Sequence, residues 1–215
     1  MKHDSGNSSS DTSVVYVIDD DASLRDALST LFRSVGLEVE LFASAAEFQG
    51  SQLRKVPSCI VLDIRLPGIS GLDFQGQLGK SGINIPVIFV TGHADIPMSV
   101  RAMKAGAIDF LTKPFRDQDM LEAVFAALAR DRERREEEPY NDAISALYQT
   151  LTSREKEVMS LVTKGLMNKQ IAGELGLSEI TVKIHRGHVM RKMTVQTLAD
   201  LVRVAERLQE LGSVR

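Results

Sequence analysis

Apolar positions along this chain follow two patterns, and the change from one to the other marks two regions. Up to about residue 130, short unbroken apolar runs alternate with stretches in which apolar residues recur every three or four positions. The runs are Val14–Ile18, Cys59–Asp63 and Ile85–Val90, and Leu37–Phe42 and Ile108–Thr112, interrupted by Glu38, Glu40 and Asp109, also read as strands. An unbroken run implies a strand covered on both faces, whereas spacing of three and four implies one buried stripe of a helix. Leu24, Ala27, Leu28, Leu31, Phe32 and Val35 have that spacing on a helix over 22–35, with Gly36 placed for a left-handed end. Ser44 and Glu47 form a capping-box signature for a short helix carrying Phe48 and Leu53. Residues 70–78, interrupted by Gly76, and 98–105, closed by Gly106, predict two more helices. A fifth begins at Asp117, with Met120, Leu121, Val124, Phe125 and Leu128 on one face.

Strand and helix in strict alternation predict an α/β unit over 14–130: a doubly wound five-stranded parallel sheet in the flavodoxin-like order 2-1-3-4-5. Beyond it the periodicity is helical only. Residues 131–140 are charged throughout up to Pro139, which predicts a helical linker, solvated all round and stopped by the proline at about Glu138. Residues 141–215 read as an all-α domain. Thr152 to Glu155 caps a helix bearing Val158, Leu161 and Val162 that stops at Gly165. Asn168 is placed to cap a helix to Leu175, Gly176-Leu177 makes a tight turn, and Ser178 caps a longer basic helix to about Met193. A short helix, a glycine turn and a longer helix make a helix-turn-helix.

Charge sharpens the division. The formal net charge is -3, yet residues 140–215 hold 11 Lys and Arg against 8 Asp and Glu, leaving 15 against 21 before them. An acidic half and a basic half suit different partners. No apolar stretch approaches the ~20 residues of a membrane span, and residues 1–13, polar and serine-rich, read as a disordered tail and not a secretory signal. The single Cys59 lies inside an apolar run and suits a reducing, cytoplasmic setting as a small core residue.

The reactive side chains gather where strands end. Asp19 and Asp20 follow the first strand, Asp63 ends the third, Thr91 the fourth and Lys113 the fifth, so the topology brings all five to the carboxyl edge of the sheet. Clustered carboxylates repel one another unless a cation lies among them, and an all-oxygen set suits Mg²⁺ or Mn²⁺. Asp20 and Asp63 are candidate ligands, with Asp19 acting through water and the main-chain carbonyl of Arg65 as a further ligand. Asp63, central in the group, is placed to act as a nucleophile toward a phosphoryl group, with Lys113 and Thr91 stabilising the transferred oxygens. A metal-dependent phosphohydrolase would place a second acid/base Asp two residues after the nucleophile, but Arg65 stands there. His93 reads as a loop residue.

On the long basic helix, Val182, Val189 and Met193 share a core face, which turns Ile180, Lys183, Ile184, Gly187 and Arg191 outward. Ile184 beside Lys183 suits an apolar contact to a thymine methyl in the major groove of double-stranded DNA. Arg186, Arg191 and Lys192 suit phosphates, and Gly187 permits close approach.

Asp19-Asp20, Asp63 with Leu66-Pro67-Gly68 and Gly71, Thr91-Gly92 and Lys113-Pro114-Phe115 resemble the response-regulator receiver domain of two-component signalling. Leu151-Thr-Ser-Arg-Glu155, Asn168-Lys-Gln-Ile-Ala172 and Thr181-Val-Lys-Ile-His-Arg186 resemble the LuxR-type DNA-binding domain. Together they are similar to the NarL/FixJ family, nearer its FixJ branch. The resemblance implies phosphorylation of Asp63 by a partner sensor histidine kinase, dependence on Mg²⁺, self-catalysed dephosphorylation, a cis bond before Pro114, and a switch coupling Phe110 to Thr91. It also implies a homodimer formed through the fourth helix, fifth strand and fifth helix, with Val100, Lys104 and Phe110 contributing. Activation at promoter DNA, in contact with RNA polymerase, is the expected output. Met167 departs from the small or proline residue the family often has before the Asn.

Overall fold

The computed structural model describes residues 12–92 and 96–212, excluding the side chain of Ile96. Most of the expected tail and His93 lie outside the described residues. Contacts divide the chain into two units, Met1–Arg135 and Glu136–Arg215.

In the first unit, strands β1 (Val14–Ile18), β2 (Glu38–Phe42), β3 (Ser58–Asp63), β4 (Val87–Thr91) and β5 (Asp109–Thr112) alternate with helices α1 (Ala22–Ser34), α2 (Ala45–Gln49), α3 (Gly71–Lys80), α4 (Ile96–Lys104) and α5, which begins at Asp117. The sheet runs β2-β1-β3-β4-β5, and every pairing is parallel. All positions of β1, β3 and β4 are buried, because alternate residues feed two separate cores. Val14, Tyr16, Ile18, Ile60, Leu62 and Phe89 pack with Phe48 and Phe74 on one face. Val15, Val17, Val61, Ile88 and Val90 pack with Phe32, Met120 and Val124 on the other. Burial on both faces is why the strands read as unbroken apolar runs. Leu53 lies beyond the end of α2 but still packs on the first core.

The charged stretch after residue 130 departs from expectation twice. Asp131 is fully buried, accepting hydrogen bonds from the Ser58 amide at 2.9 Å, from Arg134 at 2.7 and 3.0 Å and from Arg135 at 2.6 Å. The stretch is therefore not solvated all round. Nor does Pro139 end it, for α5 is one helix over Asp117–Gln149. Proline removes one backbone donor and costs a helix about 3 kcal/mol. Here the turns beyond it are held by Ile144 and Tyr148, both buried in the second unit's core, so tertiary packing overrides the local stop signal.

The second unit adds α6 (Ser153–Thr163), α7 (Asn168–Leu175), α8 (Glu179–Lys192) and α9 (Leu198–Glu210), the last an element the periodicity reading did not extend to. Their core joins Val158, Val162, Ile171, Val182, Val189, Met193, Leu201 and Leu208. Thr152 caps α6 reciprocally with Glu155, Ser178 caps α8, and Gly176 adopts φ 66° between α7 and α8. Asn168 is not the cap of α7. Met167 occupies the cap position, its amide donating to Gln170 Oε1 at 2.8 Å, while Asn168 Oδ1 accepts from Arg186 Nη1 at 2.6 Å. Among the described residues no helix is long and apolar enough to cross a membrane.

Candidate functional site

Parallel pairing in register delivers the ends of β1, β3, β4 and β5 to one edge of the first unit. Asp19 follows β1, Asp63 closes β3 opposite Val90, and Thr91 closes β4 opposite Thr112, next to Lys113. Asp19 and Asp63 are 3% and 6% exposed, and Thr91 is buried; Asp20 stands open to solvent. One oxygen from each of Asp19, Asp20 and Asp63 lies within 4.8 Å of the others. An oxygen-only donor set of this size fits a hard divalent cation that keeps some of its water.

Lys113 Nζ bridges the two buried carboxylates, 2.7 Å from Asp19 Oδ2 and 2.7 Å from Asp63 Oδ2. Burial by itself lowers the lysine pKa, but the hydrogen bonds to Asp19 and Asp63 outweigh it, and the ammonium is held above its usual value. Burial raises Asp19 above the usual carboxylate range, opposed by Lys113 and by the Asp21 amide. Asp63 Oδ1 accepts from the Arg65 amide at 2.8 Å, fixing the carboxylate's orientation. The Lys113–Pro114 bond is cis, as the family resemblance implies. Phe110, on β5, is half-buried against the core containing Phe89.

The roles of Asp21 and Arg25 escaped the sequence reading, and Gly71 was read there only as part of the family resemblance. Asp21 is the N-cap of α1, its carboxylate accepting from the Ser23 and Leu24 amides. Arg25 Nη1 donates to the Asp19 carbonyl at 2.6 Å, holding the strand end from the first turn of α1. Gly71 N donates to the Ile64 carbonyl at 2.9 Å, closing the loop after Asp63. A capping signal after Asp20 was available in sequence; the other two depend on contacts across a turn.

In the second unit, α8 has the expected faces. Val182, Val189 and Met193 are buried, whereas Ile180, Lys183, Ile184, Gly187 and Arg191 are exposed. Ile180 and Ile184, at 74% and 53%, are large apolar side chains held in water beside a lysine. Two of the residues expected at phosphates have internal partners. Lys192 Nζ donates to Glu155 Oε2 at 2.6 Å and to the Thr150 carbonyl at 3.1 Å, and Arg186 bonds Asn168. Lys192 thus reaches the buried Glu155 and Arg186 the half-buried Asn168, leaving Lys183 and Arg191 as the exposed cations of α8. Glu155, nearly buried, loses solvation that would raise its pKa; hydrogen bonds from Lys192 and Thr152 reverse this and hold it at about 2.

Residues 15–125 match the response regulator receiver domain, and residues 149–205 match the bacterial regulatory proteins of the luxR family. Nodulation protein W of Bradyrhizobium diazoefficiens is 60% identical over 195 residues, covering 91% of this chain and 86% of that protein. The response regulator protein TodT of Pseudomonas putida is 49% identical over 198 residues, covering 92% and 87%. The solved structure of the response regulator StyR superposes with a TM-score of 0.66 at 48% identity, covering 91% of this chain and 99% of that one. With its acidic strand-end cluster in one unit and its helix-turn-helix in the other, the chain belongs to the two-component response regulators of the FixJ/NarL type, transcription regulators that join a receiver to a LuxR-type DNA-binding domain.

Proposed function

We propose that Asp63 is the phosphoacceptor and that its modification controls promoter binding by α8. The observation that carries this reading is the Lys113 ammonium lying 2.7 Å from both buried carboxylates, where it can follow a transferring phosphoryl group. A carboxylate oxygen of Asp63 attacks the phosphorus of a phosphohistidine on the partner sensor kinase; the new P–O bond forms as the P–N bond breaks, and the imidazole leaves with its electron pair. Lys113 and Thr91 stabilise the phosphoryl oxygens. Asp19, Asp20, Asp63 and the Arg65 carbonyl would hold Mg²⁺ or Mn²⁺, which when bound neutralises charge on the carboxylates and the phosphoryl group. In self-catalysed dephosphorylation water attacks phosphorus in the same arrangement, the P–O bond to Asp63 breaks, the carboxylate leaves with its electron pair, and inorganic phosphate is released.

Phosphorylation draws in Thr91 and lets Phe110 change its packing, shifting the population of the α4-β5-α5 surface toward a homodimer. Val100, exposed on α4, with Lys104 and Phe110, contributes to that surface. Paired α8 helices then read a two-fold site in cytoplasmic double-stranded DNA. Lys183, Ile184 and Gly187 face the bases, Arg191 takes a phosphate, and Arg186 and Lys192 reach phosphates on leaving their internal partners. Activation through RNA polymerase is the proposed output.

The test uses acetyl phosphate as donor and a duplex selected by the protein from a random pool. Wild type should take up phosphoryl in Mg²⁺, dimerise and shift the duplex. Asp63→Asn should do none of these, and Lys183→Glu should be phosphorylated and dimerise without shifting DNA. Uptake by Asp63→Asn at the wild-type rate would overturn the assignment.

A further inference from the structure

The second unit contains a cluster of metal-ligating side chains that neither the phosphoacceptor site nor DNA contact uses. Glu155, in the first turn of α6, faces His185 and His188 on α8, and one ligand atom from each lies within 4.8 Å of the others. The histidines are three positions apart, so they emerge from one helical face. Their rings meet edge to face with centroids 6.5 Å apart. His188 Nδ1 approaches Glu155 Oε1 at 3.5 Å. His185 Nδ1 is buried and has no hydrogen-bond partner among the described residues.

Such an orphaned nitrogen is uncommon, because a buried polar atom without a partner carries the full cost of its desolvation. Its neighbours explain it if the intended partner is a cation. Glu155 is already oriented as a ligand would be: Oε2 is held by the Thr152 amide at 2.8 Å and by Lys192 Nζ at 2.6 Å, leaving Oε1 toward His188. Two imidazoles and one carboxylate are a borderline-soft donor set, suited to zinc and its neighbours in the first transition row and poor for Mg²⁺. The His188 side chain is 43% exposed, which gives the site an entry path, a place for a water ligand and the freedom to close the remaining separation.

We propose that Glu155, His185 and His188 form a transition-metal site of the zinc class that clamps α8 to the first turn of α6. Metal there fixes the helix carrying Lys183 and Ile184 from its buried side. Lys192 shares Glu155 and opposes the cation electrostatically, so the site is weaker than a closed structural zinc site and responds to metal supply.

Cobalt(II) titration of the untagged full chain, in excess Mg²⁺ to occupy the receiver cluster, tests this. Wild type should develop the visible absorption of low-coordinate cobalt, lose it to equimolar Zn²⁺, and show Zn²⁺-dependent protection of α8 amides in hydrogen exchange. His188→Ala changes a half-exposed residue and should fold normally, yet bind cobalt at least tenfold more weakly. Asp63→Asn should bind as wild type. Equal cobalt affinity in wild type and His188→Ala would overturn the proposal, as would loss of the signal in Asp63→Asn with retention in His188→Ala.

Discussion

A Cβ built on Gly71 would lie 2.5 Å from the Asp63 carbonyl oxygen and 2.9 Å from the Ile64 Cα. The loop after β3 therefore closes on the backbone of the proposed phosphoacceptor with no room for a side chain, and both crowding atoms belong to the main chain. Gly71→Ala should destabilise the first unit by about 1–3 kcal/mol and slow phosphoryl uptake from acetyl phosphate at least tenfold, because relief of the clash must move Asp63. Gly36 is the control. It has φ 82° but open space around a Cβ, so Gly36→Ala should cost about 1–2 kcal/mol and leave uptake unchanged. Uptake kinetics and urea unfolding of the two variants separate these outcomes.

Lys113 neutralises the same carboxylates that the proposed divalent cation requires. Removing the ammonium leaves Asp19 and Asp63 buried side by side without a counter-charge. Lys113→Ala should then bind Mg²⁺ more tightly than wild type, by several-fold in a calorimetric titration, and its thermal stability should fall in EDTA and recover in Mg²⁺. Wild type should show a smaller Mg²⁺ dependence, since the lysine already neutralises part of the cluster. Unchanged Mg²⁺ affinity in Lys113→Ala would mean that the two cations do not share these carboxylates.

The central strands were legible because they lie between two cores: Val14–Ile18 has no solvated position to blur the run. Asp19, Asp20, Asp63, Thr91 and Lys113 were legible as a group because parallel topology sends every strand end to one edge. What local pattern could not supply were partners distant in sequence. Asp131 looked solvated among its charged neighbours, for the amide it serves belongs to Ser58, 73 positions earlier. Pro139 carried a correct local propensity that the packing of Ile144 and Tyr148 overrode. Asn168 had the chemistry of a helix cap, but Arg186 on the following helix claims its oxygen. The outward face of α8 needed only its period, whereas the internal engagement of Lys192 depended on Glu155 across the domain.

Tyr16 supplies a pH dependence away from both sites. It is fully buried against Phe42 and Phe48, its hydroxyl accepting the Arg54 amide at 3.0 Å. Burial raises its pKa above the ordinary 10.0, partly opposed by the Arg54 hydrogen bond. The folded state thus favours the neutral phenol. Stability from this group is complete below pH 10.0 and is lost as pH rises through the higher folded-state value. Urea midpoints taken from pH 8 upward should fall more steeply for wild type than for Tyr16→Phe, which has no phenol to ionise there. Parallel curves would contradict this.

Asp131 completes the sheet at a point where no strand can. β4 begins opposite Ile60, whose amide donates to the Pro86 carbonyl, so the Ser58 amide two residues earlier points past the start of β4. The Asp131 carboxylate takes that hydrogen bond, and Arg134 and Arg135 balance its buried charge. Asp131→Asn keeps an acceptor for Ser58 but leaves the two arginines without a carboxylate; Asp131→Ala loses both and leaves the amide without its acceptor. Losses of about 1–3 kcal/mol for Asn and about 3–5 kcal/mol for Ala are expected on urea unfolding. The Ser58 amide should exchange with solvent much faster in Asp131→Ala than in Asp131→Asn. Phosphoryl uptake at Asp63 should be retained in both under conditions where the first unit remains folded, because Ser58 lies at the opposite end of β3. Equal stability of the two variants would show that the arginine pairs, and not the strand amide, give Asp131 its role.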